Sequence, residues 1–268
     1  MRVLLLFCFL LGALCPLTQA QPAATAPDTL TVVTLNIWHD RNDWPVRLDM
    51  IVADLQALGP DVLLLQEVLQ TEGLPNQAET LAEALGLPHV HFVSTDPPEA
   101  VHRYGNAVVS RHPFAETAGA LLPPLDAYRT AALARLDVGG RPVRVISTHL
   151  HNPPTPEGAG IRAMEIRHLL AFADTTGGDA PLVLGGDFNA TPDAPEMRML
   201  DGFRDLGGGG VTYGPAYGAG VGRRIDYLFD AADPRLVPVE AGRALDRPDA
   251  QGRYPSDHFA VYARFLLP

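Results

Sequence analysis

Apolar and polar positions in this 268-residue chain alternate with two different periods. Residues 30–38, LTVVTLNIW, read as a strand. Over 44–58, Leu48, Ile51, Val52 and Leu55 recur at helical spacing, with Asp43 placed as N-cap, Pro45 in the first turn and Gly59-Pro60 as the stop. The segment 61–68, DVLLLQEV, is patterned as a buried strand, and Ala78, Leu81, Ala82 and Leu85 mark a second helix. Strands are expected at 89–94, 106–110, 130–138 and 142–149, the last two joined as a hairpin by Gly139-Gly140. A third helix over 160–173 carries Ile166, Leu169, Leu170 and Ala173 on one face, and strands at 181–186, 225–229 and 258–265 follow. Mixed strands with a few amphipathic helices predict an α+β fold, sheets packed together and helices outside. The Gly207–Gly210 run reads as a flexible loop on the substrate side.

The start of the chain has a different pattern. Arg2, an apolar run over 3–14, Pro16 and the ending Thr18-Gln19-Ala20 have the layout of a secretory signal peptide. The run is shorter than the roughly 20 apolar residues of a membrane span. Cleavage near Ala20 is expected to give a secreted or periplasmic protein. Both cysteines, Cys8 and Cys15, would leave with residues 1–20. A chain without them has no disulfide, no thiol nucleophile and no thiolate ligand, so any metal must be held by oxygen and imidazole. Residues 21–28 form a flexible Pro/Ala/Thr segment, and no linker or repeat interrupts 29–268, which reads as one domain.

Charge narrows the function. There are 20 basic residues, all Arg, against 31 acidic ones, and the net charge is −11. An all-over basic nucleic-acid footprint is excluded, although a local basic groove is not.

Polar residues sit at the ends of apolar runs. TVVTLNIW carries Asn36, DVLLLQEV carries Glu67, VRVISTHL carries His149, and PLVLGGDFN runs into Asp187 and Asn189. RRIDYLF and YPSDHF add Asp226, Asp257 and His258. A carboxylate beside a buried strand is costly unless it is paired or holds a cation. Several of them, spread along the chain, imply a shared pocket at one end of the sheets.

The ordered set T-L-N-I-W, L-L-Q-E-V, S-T-H-L, G-D-F-N, R-I-D-Y and S-D-H resembles the endonuclease/exonuclease/phosphatase superfamily across 29–268. The resemblance implies a four-layer α/β/β/α sandwich and a metal-dependent phosphoester hydrolase. It implies Mg²⁺, for which Mn²⁺ can substitute, held by Asn36, Glu67 and Asp257. Asp187 would orient or deprotonate the attacking water, and Asn189 would hold a phosphate oxygen. His258 would contact the scissile phosphate with Asp226 fixing its tautomer. His149 would be a second imidazole, and Asn152 a further phosphate contact. The substrates implied are nucleic acid, with a lipid head group or small phosphodiester as the alternative, and a non-catalytic binding relative as a third class. A monomer without a stable protein partner is expected.

His39, His89, His91, His102, His112, His151 and His168 carry no motif and read as bystanders. Tyr104-Gly105-Asn106, before the strand AVVS, also matches the family but reads chiefly as a turn. Arg129, Arg223 and Arg224 fit either phosphate contacts or solvated surface charges.

Overall fold

The computed structural model describes residues 28–214 and 222–268. The predicted signal peptide and nearly all of the segment after it lie outside the described residues. The strands are β1 (Asp28–Asn36), β2 (Val62–Gln70), β3 (His89–Ser94), β4 (Arg103–Ser110), β5 (Phe114–Leu122) and β6 (Arg129–Val138). They continue with β7 (Arg141–His149), β8 (Leu182–Asp187), β9 (Arg204–Asp205), β10 (Asp226–Asp230), β11 (Val237–Ala244) and β12 (Ala260–Leu267). The α-helices are α1 (Trp44–Leu58), α2 (Gln77–Leu85) and α3 (Pro156–Thr175). None of the described helices is long and apolar enough to cross a membrane.

The strands form two six-stranded sheets, ordered β11-β12-β1-β2-β4-β3 and β5-β6-β7-β8-β10-β9. Side-chain alternation explains how the sheets stack. Leu30, Val32 and Leu64 face inward and pack with Ala132, Val145, Val183 and Leu228 between the sheets. Their neighbours Val33, Leu35, Leu63 and Leu65 face outward onto Ile51 and Leu55 of α1 and Leu81 of α2. On the far side Ile146 and Leu184 pack on Ile166, Leu169 and Ala173 of α3. The result is the predicted α/β/β/α sandwich.

Several local expectations change. β5 and β11 carry no strand pattern because, unlike β3, which is an outer strand with every residue half-buried, they are mostly solvated and have little buried face to encode. Tyr104-Gly105-Asn106 belongs to β4 rather than to a turn. Gly105 is needed there because a Cβ would lie 1.9 Å from the Val93 carbonyl oxygen. Asp43 occupies the N-cap of α1 in left-handed backbone, and its side chain makes no capping bond. α3 starts earlier than its apolar stripe, at Pro156, because the Thr155 side chain caps the Gly158 N–H.

Topology gathers the motifs at one end. β1 and β2 run parallel, so Asn36 and the Gln66-Glu67 pair finish side by side. β7 and β8 are also parallel and bring His149 level with Asp187. β10 runs antiparallel to β8, which sets Asp226 opposite Asp187. β12 is antiparallel to β1, and the Ser256-Asp257-His258 turn therefore enters beside the end of β1, where the Ser256 hydroxyl donates to the Asn36 carbonyl at 2.7 Å.

Candidate active site

Glu67 reaches the site through a break in its own strand. The β2–β4 register shifts between Leu65 and Val68, and Glu67 has φ 58°. This bulge in left-handed backbone, unfavourable for a residue with a Cβ, turns the carboxylate away from the ladder and over the sheet end. Just below, Gln66 donates to Ser147 Oγ at 3.0 Å and to Thr34 Oγ1 at 3.2 Å, tying the two sheets together under the site. Gly186 plays a similar part on β8, since a Cβ there would lie 2.0 Å from the Thr148 carbonyl oxygen. No larger residue would let β8 run so close to β7 just before Asp187.

All the residues singled out from the motifs, except Asn36 and Asp226, line one open cavity of about 720 Å³. Those two are buried and bonded to its lining. Asn36 Nδ2 donates to Glu67 Oε1 at 3.2 Å and to Asp187 Oδ2 at 3.1 Å, while its Oδ1 accepts the Trp38 N–H at 3.0 Å. Asp187 Oδ1 accepts the Asn189 N–H at 3.0 Å, and Asn189 Nδ2 donates to the Leu150 carbonyl. His258 Nδ1 lies 2.9 Å from Asp226 Oδ2, and its Nε2 lies 3.7 Å from Asp187 Oδ2. His149 Nε2 is 3.4 Å from the same Asp187 oxygen. Asn152 sits at the exposed rim.

The two imidazoles are driven in opposite directions. Burial alone would discharge His258, but Asp226, Asp187 and Asp257 outweigh it and hold its pKa well above the ordinary value. His149 has no such compensation: burial, Arg129 and His258 push its pKa well down. One ring is therefore a cation and the other a neutral donor at the same pH, a separation of roles by environment. Burial pushes Asp187 upward despite the His258 charge, which makes its carboxylate more basic than an ordinary one.

The donor set suits a hard divalent cation. Glu67, Asp187 and Asp257 present carboxylates to one cavity, and Asn36 Oδ1 keeps a lone pair beyond its bond to Trp38. Asp187, Asp226 and His258 also bring ligand atoms within 4.8 Å of one another. Since His258 Nδ1 is committed to Asp226, hydrogen bonding accounts for that trio.

Four residues not assigned to the site from the sequence also belong here. His39 lines the cavity, with Nδ1 2.8 Å from Asp40 Oδ1 and Nε2 3.9 Å from Glu67 Oε2. Tyr104 packs edge-on to His39, and burial together with the Glu67 charge keeps its hydroxyl protonated. Arg129 is a buried wall residue, whereas Arg224 is bound to Asp205 away from the cavity. Arg223 lines the cavity over the Tyr213 ring. The Gly207–Gly210 run does not line it; the Gly207 N–H bonds Asp205, and Gly210 abuts Arg243.

Arg47 was not visible as part of the site. Its guanidinium donates to the carbonyls of Ile37, Trp38, His39 and Arg41, and across to Pro255. It thereby pins the loop after β1 to the turn that carries Asp257. A signal existed: Arg47 is in phase with Ile51 and Leu55 on the buried face of α1.

Two packed sheets with carboxylates, amides and imidazoles gathered at one end define the architecture and site type of phosphoester-cleaving enzymes. The model of the Endonuclease/Exonuclease/phosphatase family matches residues 33–258, and the chain belongs to this family. Nocturnin of Drosophila melanogaster is 30% identical over 282 aligned positions, which take in 84% of this chain and 42% of that protein. The chain thus spans less than half of that relative. An endonuclease/exonuclease/phosphatase of Beutenbergia cavernae is 27% identical, with TM-score 0.72 over 90% of this chain and 72% of the other. TDP2 of D. rerio, solved in complex with a single-strand DNA product, shares the fold at TM-score 0.71 with 20% identity, over 88% of this chain and 98% of the other.

Proposed function

We propose that this protein is an exported, Mg²⁺-dependent phosphodiesterase of nuclease type. One observation carries the reading: a cationic His258, a neutral His149 and the basic Asp187 converge within one cavity, His258 and His149 facing the same Asp187 oxygen at 3.7 and 3.4 Å. Glu67 and Asp257, with Asn36 beside them, would hold the ion, whose charge would neutralise the phosphate and stabilise the leaving oxygen. Asp187 Oδ2, its partner oxygen tied to the Asn189 N–H, accepts the proton of the attacking water. The N–H groups of His149 and His258 and the amide of Asn189 donate to the oxygens on which charge builds. Asp226 keeps the outward-facing nitrogen of His258 available for that task.

The single-strand DNA product in the TDP2 complex supports a nucleic-acid substrate. The net charge of −11 favours a short strand over a long polyanion. The purified protein with Mg²⁺, assayed on plasmid DNA, RNA, bis-p-nitrophenyl phosphate and sphingomyelin, tests this reading. Turnover of the reporter and of at least one nucleic acid is expected. Failure on both, or turnover confined to sphingomyelin, overturns it.

A further inference from the structure

Arg129 begins β6, directly after Tyr128 in left-handed backbone at φ 56°, and its residue is 9% exposed. A buried guanidinium nitrogen normally fills its donor. The Nε of Arg129 has no hydrogen-bond partner, and among the described residues no carboxylate lies within ion-pair distance of it. Glu165, the buried acid whose charge it feels, instead accepts the His151 N–H at 2.8 Å. Arg129 is therefore a cation with a buried, unused Nε donor at the wall of the catalytic cavity.

A second cavity lies on the other side of that wall. It measures about 460 Å³ and is lined by Asp96, His102, Tyr104, Ala127, Tyr128 and Arg129. Tyr104 and Arg129 line both cavities, so the two meet at this pair. The charge of Arg129 is felt at His149, Tyr104 and His151, whereas His258 is governed by Asp226, Asp187 and Asp257. Arg129 thus lies near His149 and Tyr104 at the edge of the catalytic cavity. Tyr128, 61% exposed as a residue, lines the second cavity and offers an aromatic ring for a base or sugar.

We infer that Arg129 is a second phosphate subsite, taking the phosphodiester next to the scissile one, with the intervening nucleoside in the cavity beside Tyr128. This rests on the phosphodiesterase reading above and sharpens it: the preferred substrate carries at least two phosphates one nucleoside apart. A guanidinium fork suits a phosphate with two oxygens to offer, and a ligand of that kind supplies the partner that Nε lacks.

The test compares TpT, which has one phosphodiester, with TpTpT, which has two, for wild type, Arg129→Gln and Arg129→Lys. Wild type is expected to favour TpTpT in kcat/KM by about tenfold or more, and Arg129→Gln to lose that preference, with a larger loss on TpTpT than on TpT. Arg129→Lys should recover part of it, since the charge stays and the fork is lost. Equal losses on both substrates would place Arg129 on the scissile phosphate, and an unchanged preference would make it a structural cation; either result overturns the subsite. Calorimetric binding of TpTpT to the Asp187→Asn chain with Mg²⁺, with and without Arg129→Gln, reads the subsite apart from turnover. Weaker binding with Arg129→Gln supports it even if wild type proves inactive, an outcome that sinks the hydrolase reading alone. Unchanged binding overturns the subsite.

Discussion

Both carboxylate oxygens of Asp226 face the same ring nitrogen of His258, at 3.0 and 2.9 Å from Nδ1. That nitrogen therefore donates to Asp226, and the opposite nitrogen is left to face Asp187. The pair acts as a unit, which has a kinetic consequence. His258→Ala should lower kcat by about 10²–10³ or more, the usual loss for one charge-stabilising donor. Asp226→Asn should impair the chemical step without weakening metal binding, and the double variant should be little worse than His258→Ala. Additive free energies across this cycle, measured as kcat/KM at saturating Mg²⁺, would show that the two residues work independently.

Glu67 stands in left-handed backbone to face Asn36 and the cavity, a geometry worth keeping if the carboxylate has a cation to hold. Activity should disappear in excess chelator and return with Mg²⁺ or Mn²⁺. Mg²⁺ should also raise the thermal midpoint, because a ligand that binds the folded state stabilises it by mass action. Glu67→Gln keeps the bond to Asn36 but removes a charge, so it should shrink that thermal shift along with kcat. A wild-type midpoint indifferent to Mg²⁺ would count against the ligand set.

Export is a separate expectation, set by residues 1–20. If cleavage follows Ala20, intact-mass analysis of the exported protein should show a chain that begins at Gln21 and carries no thiol. An exported species that still contains Cys15 would refute this.

The sandwich was legible in the sequence because its central strands bury a face, and a buried face writes itself as alternation. β5 and β11, at the sheet margins, have little buried face and left no pattern. The motif residues were legible because polar side chains at the ends of apolar runs are anomalous. Glu67 could be picked out in this way, yet its bulge could not, since a register shift depends on the partner strand. His39 sits on a segment that looks ordinary, and Tyr104 matches the family yet reads as part of a turn; both reach the cavity through long-range packing. Arg47, Arg162 and Glu165 are the instructive omissions. Each lies in phase with the apolar stripe of its helix, where a charge must have a partner or a task.

Glu165 shows what such a charge does to stability. It is fully buried on α3, one oxygen accepts the His151 N–H, and the other has no partner. Burial raises its pKa from 4.5 to about 7, against the His151 bond and the charges of Arg129 and Arg162. Below pH 4.5 the carboxyl is protonated in both the folded and the unfolded chain, and the shift has no effect. Between 4.5 and about 7 the unfolded chain has lost the proton while the folded chain retains it, so folding becomes less favourable as pH rises. Above about 7 the penalty is constant, on the order of 3 kcal/mol if no other group compensates. Glu165→Gln can still accept the His151 N–H through its amide oxygen but carries no charge to bury. Its denaturant midpoint should therefore exceed that of wild type at pH 8, and the gap should close as pH falls toward 5. Comparing urea unfolding of the two chains across that range decides the matter, since a pH-independent difference would mean that Glu165 is ionised throughout and held by Arg129 and Arg162.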